Sequence, residues 1–472
     1  MEEKKRIRFI DSHYHTLFSI ADGDSIEIVY PDGKREERVC TYIDEYHTQV
    51  GARVFHICEF AEIMEIILPG RMQGKGRKKR GSQRGEENRN YPYGKEQALR
   101  IGIIDADLLY RKRHRFPNLA CMKLSAYWKE QGFETELLLD YSQAGEYDWL
   151  YVSKVFTDTF VPEHILTRET TVYGGTGFFY DKAPVLPEAI EHHTPDYHLY
   201  DQMVKEHSEG EKKKKEFQFY TEYSIGFLTR GCFRKCSFCV NKNSTGAAPA
   251  SPLEEFYDPS RKKLCFLDDN FFACAGWEKI FSSVLETGRR FQFRQGLDLR
   301  IMQKRQMELL ASGKLDNGMI FAFDHIKDQE LIVRKLELLR EVIPVPYQKI
   351  KLYVLCGYDW EGTWKADFWA KDIRDVFIRI EILMRYKCLA YLMRYAAWER
   401  APEVYKGMYI NLSRWCNQPA QYSKKSLREF CTGQGEYSSC FRYLTAFEAL
   451  HPEMAHYLDM KYEEVQYGKI YG

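Results

Sequence analysis

Three closely spaced cysteines are the residues of this 472-residue chain best suited to chemistry. Cys232, Cys236 and Cys239 follow the pattern C-x3-C-x2-C within GFLTRGCFRKCSFCVNK. Three thiolates at this spacing can hold three irons of a cubane iron–sulfur cluster, which normally takes four cysteines. The fourth iron then has a position open for a small molecule.

A zinc site is the main alternative for the same cysteines, because zinc also binds thiolates. Structural zinc takes four ligands, and no further Cys or His lies between residues 226 and 249. The sequence therefore favours an iron–sulfur cluster over zinc and over three cysteines that only pack in a core.

A regular alternation of strands and helices surrounds the cysteines. Helical patterns cover residues 301–312, 328–342 and 372–386, and strand-like runs begin near Tyr223, Leu264, Phe291, Met319, Ile350 and Leu389. Six βα units predict an incomplete parallel barrel over residues 216–400, since closure takes eight. The cysteines follow the first of these strands, and loops after barrel strands carry active sites.

With Phe238 before its last cysteine, the motif resembles the signature of the radical S-adenosylmethionine superfamily. The resemblance covers about residues 219–395 and continues at the predicted strand ends in FLDDNFF (266–272), QGLDLRI (295–301), FAFDH (321–325), VLCGYD (354–359) and YLMRY (391–395). These segments are similar to members that pair the barrel with a cobalamin-binding-like domain or transfer methylthio groups. The resemblance implies an enzyme whose [4Fe–4S] cluster cleaves S-adenosylmethionine reductively and abstracts hydrogen from an unidentified substrate.

The resemblance also implies a set of cofactor-binding side chains beside the three cysteine ligands: Phe238, Asp269, Asn270, Arg300, Asp324 and Arg394. Asp269 and Asn270 stand where the methionine ammonium would bind, although the superfamily more often has Gly-Gly-Glu there. Asp324 is placed for the ribose hydroxyls, and Arg300 or Arg394 for the carboxylate. Carboxylates at strand ends also cap helices, and that alternative stays open.

Residues 98–215 predict a Rossmann-like, doubly wound domain. Short apolar runs such as 101–104 and 149–153 alternate with a helical pattern over 117–131. The domain resembles the one that precedes the barrel in cobalamin-type members, but it lacks their Asp-x-His-x-x-Gly motif. The sequence after the first strand is Asp105-Ala-Asp107. A degenerate domain or a substrate platform is therefore preferred, and cobalamin binding stays an open alternative. The Gly-rich stretch 174–177 is preferred as a tight loop over a phosphate cradle.

Residues 1–70 predict a small α+β accessory module. A hairpin runs through 25–42, and 54–67 carries a helical pattern. The stretches IDSHYHTLF and YIDEYHTQVGARVFHICEFAE resemble a small module of large polyvalent proteins in phages and conjugative elements, which implies a mobile-element context. His13 and His15 are preferred as surface residues over metal ligands.

Two further segments flank the predicted domains. Residues 71–97 form a flexible basic linker: 71–100 holds ten Lys or Arg and three Glu, so nucleic acid is a candidate partner. Residues 401–472 form a C-terminal helical extension. Its cysteines, Cys416, Cys431 and Cys440, have irregular spacings and are preferred as buried structural thiols over an auxiliary cluster.

Composition narrows the class of protein. Hydrophobic residues make up 44% and charged residues 29%, which is typical of a globular chain, and the net charge is only +1. The apolar stretch 376–398 carries five charges and cannot span a bilayer. Thirteen cysteines without a secretory signal predict a cytoplasmic protein.

The expected partner is a flavodoxin- or ferredoxin-like reductant. A nucleic-acid or peptide modifier of methylthiotransferase type and a non-catalytic iron–sulfur protein remain alternatives.

Overall fold

The computed structural model describes residues 5–10, 16–29, 35–44, 47–50, 53–56, 65–67, 99–208, 215–345 and 349–468. The chain divides into two compact units, Met1–Tyr220 and Thr221–Gly472. Both contain strands, and three parallel sheets, one in the first unit and two in the second, alternate with helices. The protein is therefore of the α/β class.

The first unit begins with antiparallel strands. β1 (Arg6–Ile10) pairs with β2 (Thr16–Ala21), and a second sheet has the order β6-β5-β4-β3-β7. Its strands are β3 (Ser25–Val29), β4 (Arg35–Asp44), β5 (His47–Val50), β6 (Arg53–His56) and β7 (Glu65–Ile67). Pairing of β3 with β4 confirms the predicted hairpin, whose turn lies outside the described residues.

The predicted helix over 54–67 is wrong at both of its ends, which β6 and β7 occupy, and its middle, residues 57–64, lies outside the described residues. Short apolar runs fit helical and strand spacing equally well, and the β-branched and aromatic residues of RVFH and EII favour a strand. The described elements within residues 1–70 are strands, and the middle of the segment predicted as helical lies outside the described residues. His13 and His15 lie outside the described residues.

A four-stranded parallel sheet forms the rest of the first unit. β8 (Arg100–Asp105), β9 (Glu134–Leu137), β10 (Trp149–Ser153) and β11 (Thr171–Gly174) have the order β11-β10-β8-β9. The chain leaves β8 for one neighbour and returns to the other side of it, which is the doubly wound arrangement predicted. The helices are α1 (Ala106–Tyr110), α2 (Leu119–Glu130), α3 (Glu163–Leu166), α4 (Thr176–Phe179), α5 (Glu188–Glu191), α6 (Asp201–His207) and α7 (Gln218–Thr221).

The second unit contains two three-stranded parallel sheets, with orders β12-β15-β16 and β17-β18-β19. Their strands are β12 (Tyr223–Gly226), β15 (Lys263–Phe266), β16 (Arg290–Phe293), β17 (Met319–Ala322), β18 (Ile350–Cys356) and β19 (Leu389–Arg394). All six predicted strand positions are confirmed. A short antiparallel pair, β13 (Thr229–Arg230) and β14 (Ala248–Pro249), follows β12.

Helices pack against these sheets and continue as far as Leu458. They are α8 (Trp277–Glu286), α9 (Lys304–Ser312), α10 (Gln329–Val342), α11 (Phe368–Arg385), α12 (Glu403–Cys416), α13 (Pro419–Tyr422), α14 (Leu427–Thr432), α15 (Ser439–Leu450) and α16 (Ala455–Leu458). One apolar core runs from Leu228 to Leu458, so the C-terminal helices share the core of the strands. Cys416, Cys431 and Cys440 are buried in it, as predicted.

Long apolar helices that could cross a membrane are absent from the described part of the chain.

Candidate functional site

The three cysteines lie in a hairpin loop that β13 and β14 close at its base, where Thr229 pairs with Pro249. We call residues 231–247 the cysteine loop. Gly231 starts it at φ +92°, and a Cβ there would lie 2.1 Å from the carbonyl oxygen of Gly246. Only glycine permits that close approach of the two ends of the loop.

Backbone and side-chain N–H groups point at two of the sulfur atoms. The Cys232 Sγ accepts from the Arg234 amide at 3.4 Å and from Asn270 Nδ2 at 3.3 Å, and the Cys239 Sγ accepts from the Asn241 amide at 3.4 Å. Such donors stabilise a thiolate, and they tune the sulfurs of iron–sulfur clusters.

The thiols are close enough to influence one another. Burial raises the pKa of Cys236 and Cys239, and the neighbouring cysteines raise it further. Metal ligation removes that cost, because thiolates bind as ligands without their protons. In the part of the chain that the structure describes, no group of three Cys, His, Asp or Glu side chains is already arranged to hold a metal ion. Two of the three sulfurs have N–H donors directed at them, and no fourth Cys or His lies between residues 226 and 249 to complete a zinc site.

Two consecutive aspartates after β15 accept hydrogen bonds from the cysteine loop and from the strand that leads into it. Asp269 accepts from the Gly231 amide at 2.7 Å and from Asn241 Nδ2 at 2.6 Å, so it ties residues on both sides of the three cysteines. Asp268 is 1% exposed and accepts from the Thr229 amide and hydroxyl, both at 2.7 Å. Burial raises the pKa of Asp268 to about 7. The two carboxylates thus bind different partners, as the alternation of an extended chain predicts.

Asn270 has one half of its side-chain amide free for a ligand. It is 2% exposed, and its Nδ2 donates to Cys232. Its Oδ1 is buried and has no hydrogen-bond partner among the described residues. A buried acceptor without a donor costs free energy, so this oxygen is a suitable position for a bound N–H group.

Arg300 is close to the loop but already paired. Its guanidinium contacts Asp298 and Asp328, both at 2.7 Å, and Asp298 also accepts from Arg234 of the cysteine loop. Its charge lowers the pKa of Cys236, which opposes the effect of burial. Arg300 therefore balances charge beside the loop through two ion pairs.

Asp324 follows β17, and its charge acts on both Cys236 and Cys239. Burial raises the pKa of Asp324 to about 6, although Arg379 and Arg300 oppose the shift. Arg379, to which no role was assigned from the sequence, is 2% exposed on α11.

Arg379 joins the ends of two strands. Its Nη1 donates to the carbonyl oxygens of Phe323, Asp324 and Leu355 at 2.8–3.1 Å. The only signal in the sequence is a charge within an apolar helix. This buried cation fixes the backbone that carries Asp324.

The two remaining predicted residues lie in aromatic surroundings. The ring of Phe238 has its centroid 5.4 Å from that of Tyr358 and 5.6 Å from that of Trp360. Arg394 ends β19 and packs 4.2 Å from the ring of Trp398. The structure thus brings Asp269, Asn270, Arg300 and Asp324 to the cysteine loop, and it gives Arg394 a contact further along the chain.

The carboxyl edge of the middle sheet is filled by its own side chains. Asp105 is fully buried and accepts from the Tyr200 hydroxyl at 2.8 Å. Asp107 accepts from the Val155 amide at 2.6 Å and from the Thr159 hydroxyl. The two aspartates next to β8 are thus engaged in a polar network of the domain's own and are not available to a ligand.

The Gly-rich stretch packs just as closely. A Cβ at Gly175 would lie 2.3 Å from the Lys154 carbonyl oxygen, and one at Gly177 would lie 2.7 Å from that of Phe156. The Gly-rich stretch is therefore the close turn at Gly175 between the end of β11 and the start of α4, packed against the chain after β10.

No protein-family model and no curated protein matches this chain. Among solved structures, the matches include OxsB, described as a cobalamin-dependent S-adenosylmethionine radical enzyme. Its form with aqua-cobalamin and S-adenosylmethionine is 12% identical, with a TM-score of 0.31, and the match covers 63% of this chain and 49% of that one. The apo form is 11% identical, with a TM-score of 0.30, and the match covers 76% of this chain and 58% of that one. The chain spans about half the length of these enzymes, and a likeness this distant assigns no function to it.

Proposed function

We propose that this protein is a radical S-adenosylmethionine enzyme. Cys232, Cys236 and Cys239 would hold a [4Fe–4S] cluster, which when bound supplies the electron for reductive cleavage of S-adenosylmethionine and so for hydrogen abstraction from a substrate. The observation that carries the proposal is the cysteine loop itself. It presents three thiols that act on one another electrostatically, with N–H donors aimed at two of the sulfurs, beyond the end of a parallel strand.

The surrounding residues would each perform a distinct task. The unpaired Oδ1 of Asn270 would accept a hydrogen bond from the ammonium of S-adenosylmethionine. Asp324, whose backbone Arg379 fixes, would accept from the ribose hydroxyls. Asp269 would hold the loop in shape rather than contact the ammonium, since both of its oxygens already have donors.

The cofactor's carboxylate needs a cation that is not already neutralised. Arg300 has two carboxylate partners, so Arg394, exposed at the end of β19, is the better candidate. Phe238 would contact the cofactor from the loop itself.

The six parallel strands would form a partial barrel around this site. Their two sheets are linked by isolated parallel bridges between Phe291 and Leu315 and between Leu297 and Phe321. A curved arrangement of six strands would leave one side open for a substrate. A flavodoxin- or ferredoxin-like protein would deliver the electron.

Anaerobic reconstitution tests the proposal. We expect about four irons per chain and formation of 5′-deoxyadenosine from S-adenosylmethionine and a strong reductant. The triple variant with Ala at Cys232, Cys236 and Cys239 should lose both, whereas Cys121→Ala, a buried cysteine of the other unit, should retain both.

Two outcomes would contradict it. Full iron content in the triple variant would place the cluster elsewhere. A cluster that assembles on the three cysteines but never cleaves S-adenosylmethionine would identify a non-catalytic iron–sulfur protein.

A further inference from the structure

Five aromatic rings form a continuous cluster beyond the ends of β17, β18 and β19. We call this cluster the aromatic shelf; its members are Phe238, His325, Tyr358, Trp360 and Tyr395. The centroid of Tyr358 lies 5.2 Å from that of Trp360 and 4.6 Å from that of Tyr395, and the centroid of His325 lies 4.5 Å from that of Trp360. The rings of Phe238, Tyr358 and Trp360 meet edge to face, with interplanar angles of 73–88°.

This packing fixes Trp360 without covering it. Edge-to-face contacts are favourable for aromatic pairs, so the neighbouring rings hold the indole in one orientation. Trp360 is nevertheless 40% exposed. A large aromatic side chain held rigidly in water is a suitable surface for another flat ring to stack on.

The shelf adjoins the cysteine loop. Phe238 directly precedes Cys239, and the hydroxyl of Ser237 is hydrogen-bonded to that of Tyr358. His325 directly follows Asp324, whose charge acts on two of the cysteines. A molecule stacked on Trp360 would therefore lie next to the site proposed for radical chemistry.

Positive charge flanks the shelf. Burial lowers the pKa of His325, and so do Lys327, Arg379 and Lys371, in the order of their effect. Lys327 and Lys371 are exposed. Asp328 opposes them, but its carboxylate is already 2.7 Å from the guanidinium of Arg300.

We propose that the aromatic shelf binds a base of a single-stranded nucleic acid, stacked on Trp360, while Lys327 and Lys371 contact the adjoining phosphates. The inference rests on the proposed function and names the substrate class of the same site. Proteins that bind single strands combine stacking rings with a positively charged path for the backbone. An aromatic peptide would use the ring but would bring no regular negative charge for the two lysines.

Stacking on Trp360 is tested by the fluorescence anisotropy of a labelled single-stranded 12-nucleotide adenine-rich RNA, with the DNA of the same sequence in parallel. The reconstituted full-length chain is used. Because stacking of one base contributes about 1–3 kcal/mol, Trp360→Ala should weaken binding about fivefold to 150-fold. Trp360→Phe should recover much of the affinity. Tyr437→Ala removes a side chain that is 97% exposed outside the shelf, and it should bind like the unaltered chain.

The lysines are tested through the salt dependence of the same binding. Each phosphate contact on a single strand contributes about −0.7 to the slope of log K against log salt. The double variant Lys327→Gln, Lys371→Gln should therefore reduce the slope by about 1.4. A matched pair of exposed lysines, Lys304 and Lys424, changed in the same way, should leave the slope as it was.

Several outcomes would overturn the inference. Unchanged affinity in Trp360→Ala would do so, even if the chain bound RNA in a salt-dependent manner through its basic linker. Complete competition by S-adenosylmethionine would assign the shelf to the cofactor's adenine, and binding of a Trp-containing peptide in place of the oligonucleotides would assign it to a protein substrate. If RNA binds through Trp360 while no 5′-deoxyadenosine forms, the proposed enzymatic activity is refuted and the proposed RNA binding by the aromatic shelf is retained.

Discussion

The hydrogen bonds of Asp269 allow the effect of a single substitution on the cysteine loop to be worked out. Asp269→Ala removes the acceptor of both the Gly231 amide and Asn241 Nδ2, one on each side of the three cysteines. A hydrogen bond to a charged group contributes about 1.5–3 kcal/mol. The free energy that keeps the loop in its cluster-binding conformation should therefore fall by at least about 3 kcal/mol, which corresponds to roughly hundredfold weaker binding of the cluster.

Iron retention against a chelator measures this loss. Asn241→Ala removes only one of the two hydrogen bonds and should weaken retention about tenfold. In the double variant with Asp269→Ala the two losses should not add, because both substitutions remove the same contact. Glu278→Ala breaks an exposed ion pair with Arg305 on the surface and serves as the control with unchanged retention.

The result that would refute this reasoning is specific. From the sequence, Asp269 is expected to bind the cofactor's ammonium, so that Asp269→Ala would keep its iron and lose affinity for S-adenosylmethionine. If the variant retains iron as well as the unaltered chain and only cofactor binding falls, Asp269 is a cofactor ligand and the loop does not depend on it.

Substitutions at three other positions test the packing within the two units. Arg379→Met removes a buried cation that caps three carbonyl oxygens, so the free energy of unfolding in urea should fall by about 3 kcal/mol; Arg379→Lys should recover only part of it, and full stability in both variants would contradict the capping role. Burial raises the pKa of Asp105 to about 7, so between about pH 4 and 7 the folded chain holds a proton that the unfolded chain has released. The free energy of unfolding should therefore fall as the pH rises through that range. Asp105→Asn should flatten that part of the pH profile, and an unchanged slope would exclude Asp105 as its source. Gly226→Ala would place a Cβ 2.4 Å from the ring of Phe256, and thermal unfolding should show a loss of about 1–3 kcal/mol unless the ring moves freely.

The strands and the cysteine loop could be predicted because their signals are local. Each of the six parallel strands is a short apolar run at a regular interval, and the cysteines stand within eight consecutive residues. The strands at 53–56 and 65–67 were missed for the converse reason, since a few apolar residues satisfy either period.

The roles of individual site residues depend on contacts distant in sequence and could not be predicted. Asp269 meets Asn241, 28 residues away, and Arg300 meets Asp328, also 28 residues away. Arg379 caps carbonyl oxygens 24–56 residues before it. No sequence pattern predicts these hydrogen-bond partners, because the packing of the strands side by side decides which residues meet.

The most direct test of the central claim is the Mössbauer spectrum of chain reconstituted with ⁵⁷Fe, recorded before and after addition of S-adenosylmethionine. Three cysteine ligands leave one iron of a cubane cluster without a protein ligand, so about one quarter of the iron signal should shift when the cofactor binds. The same spectrum for Cys232→Ala should lack the cluster. A signal in which all irons remain equivalent after the addition, or a preparation that takes up zinc and no iron, would contradict the account.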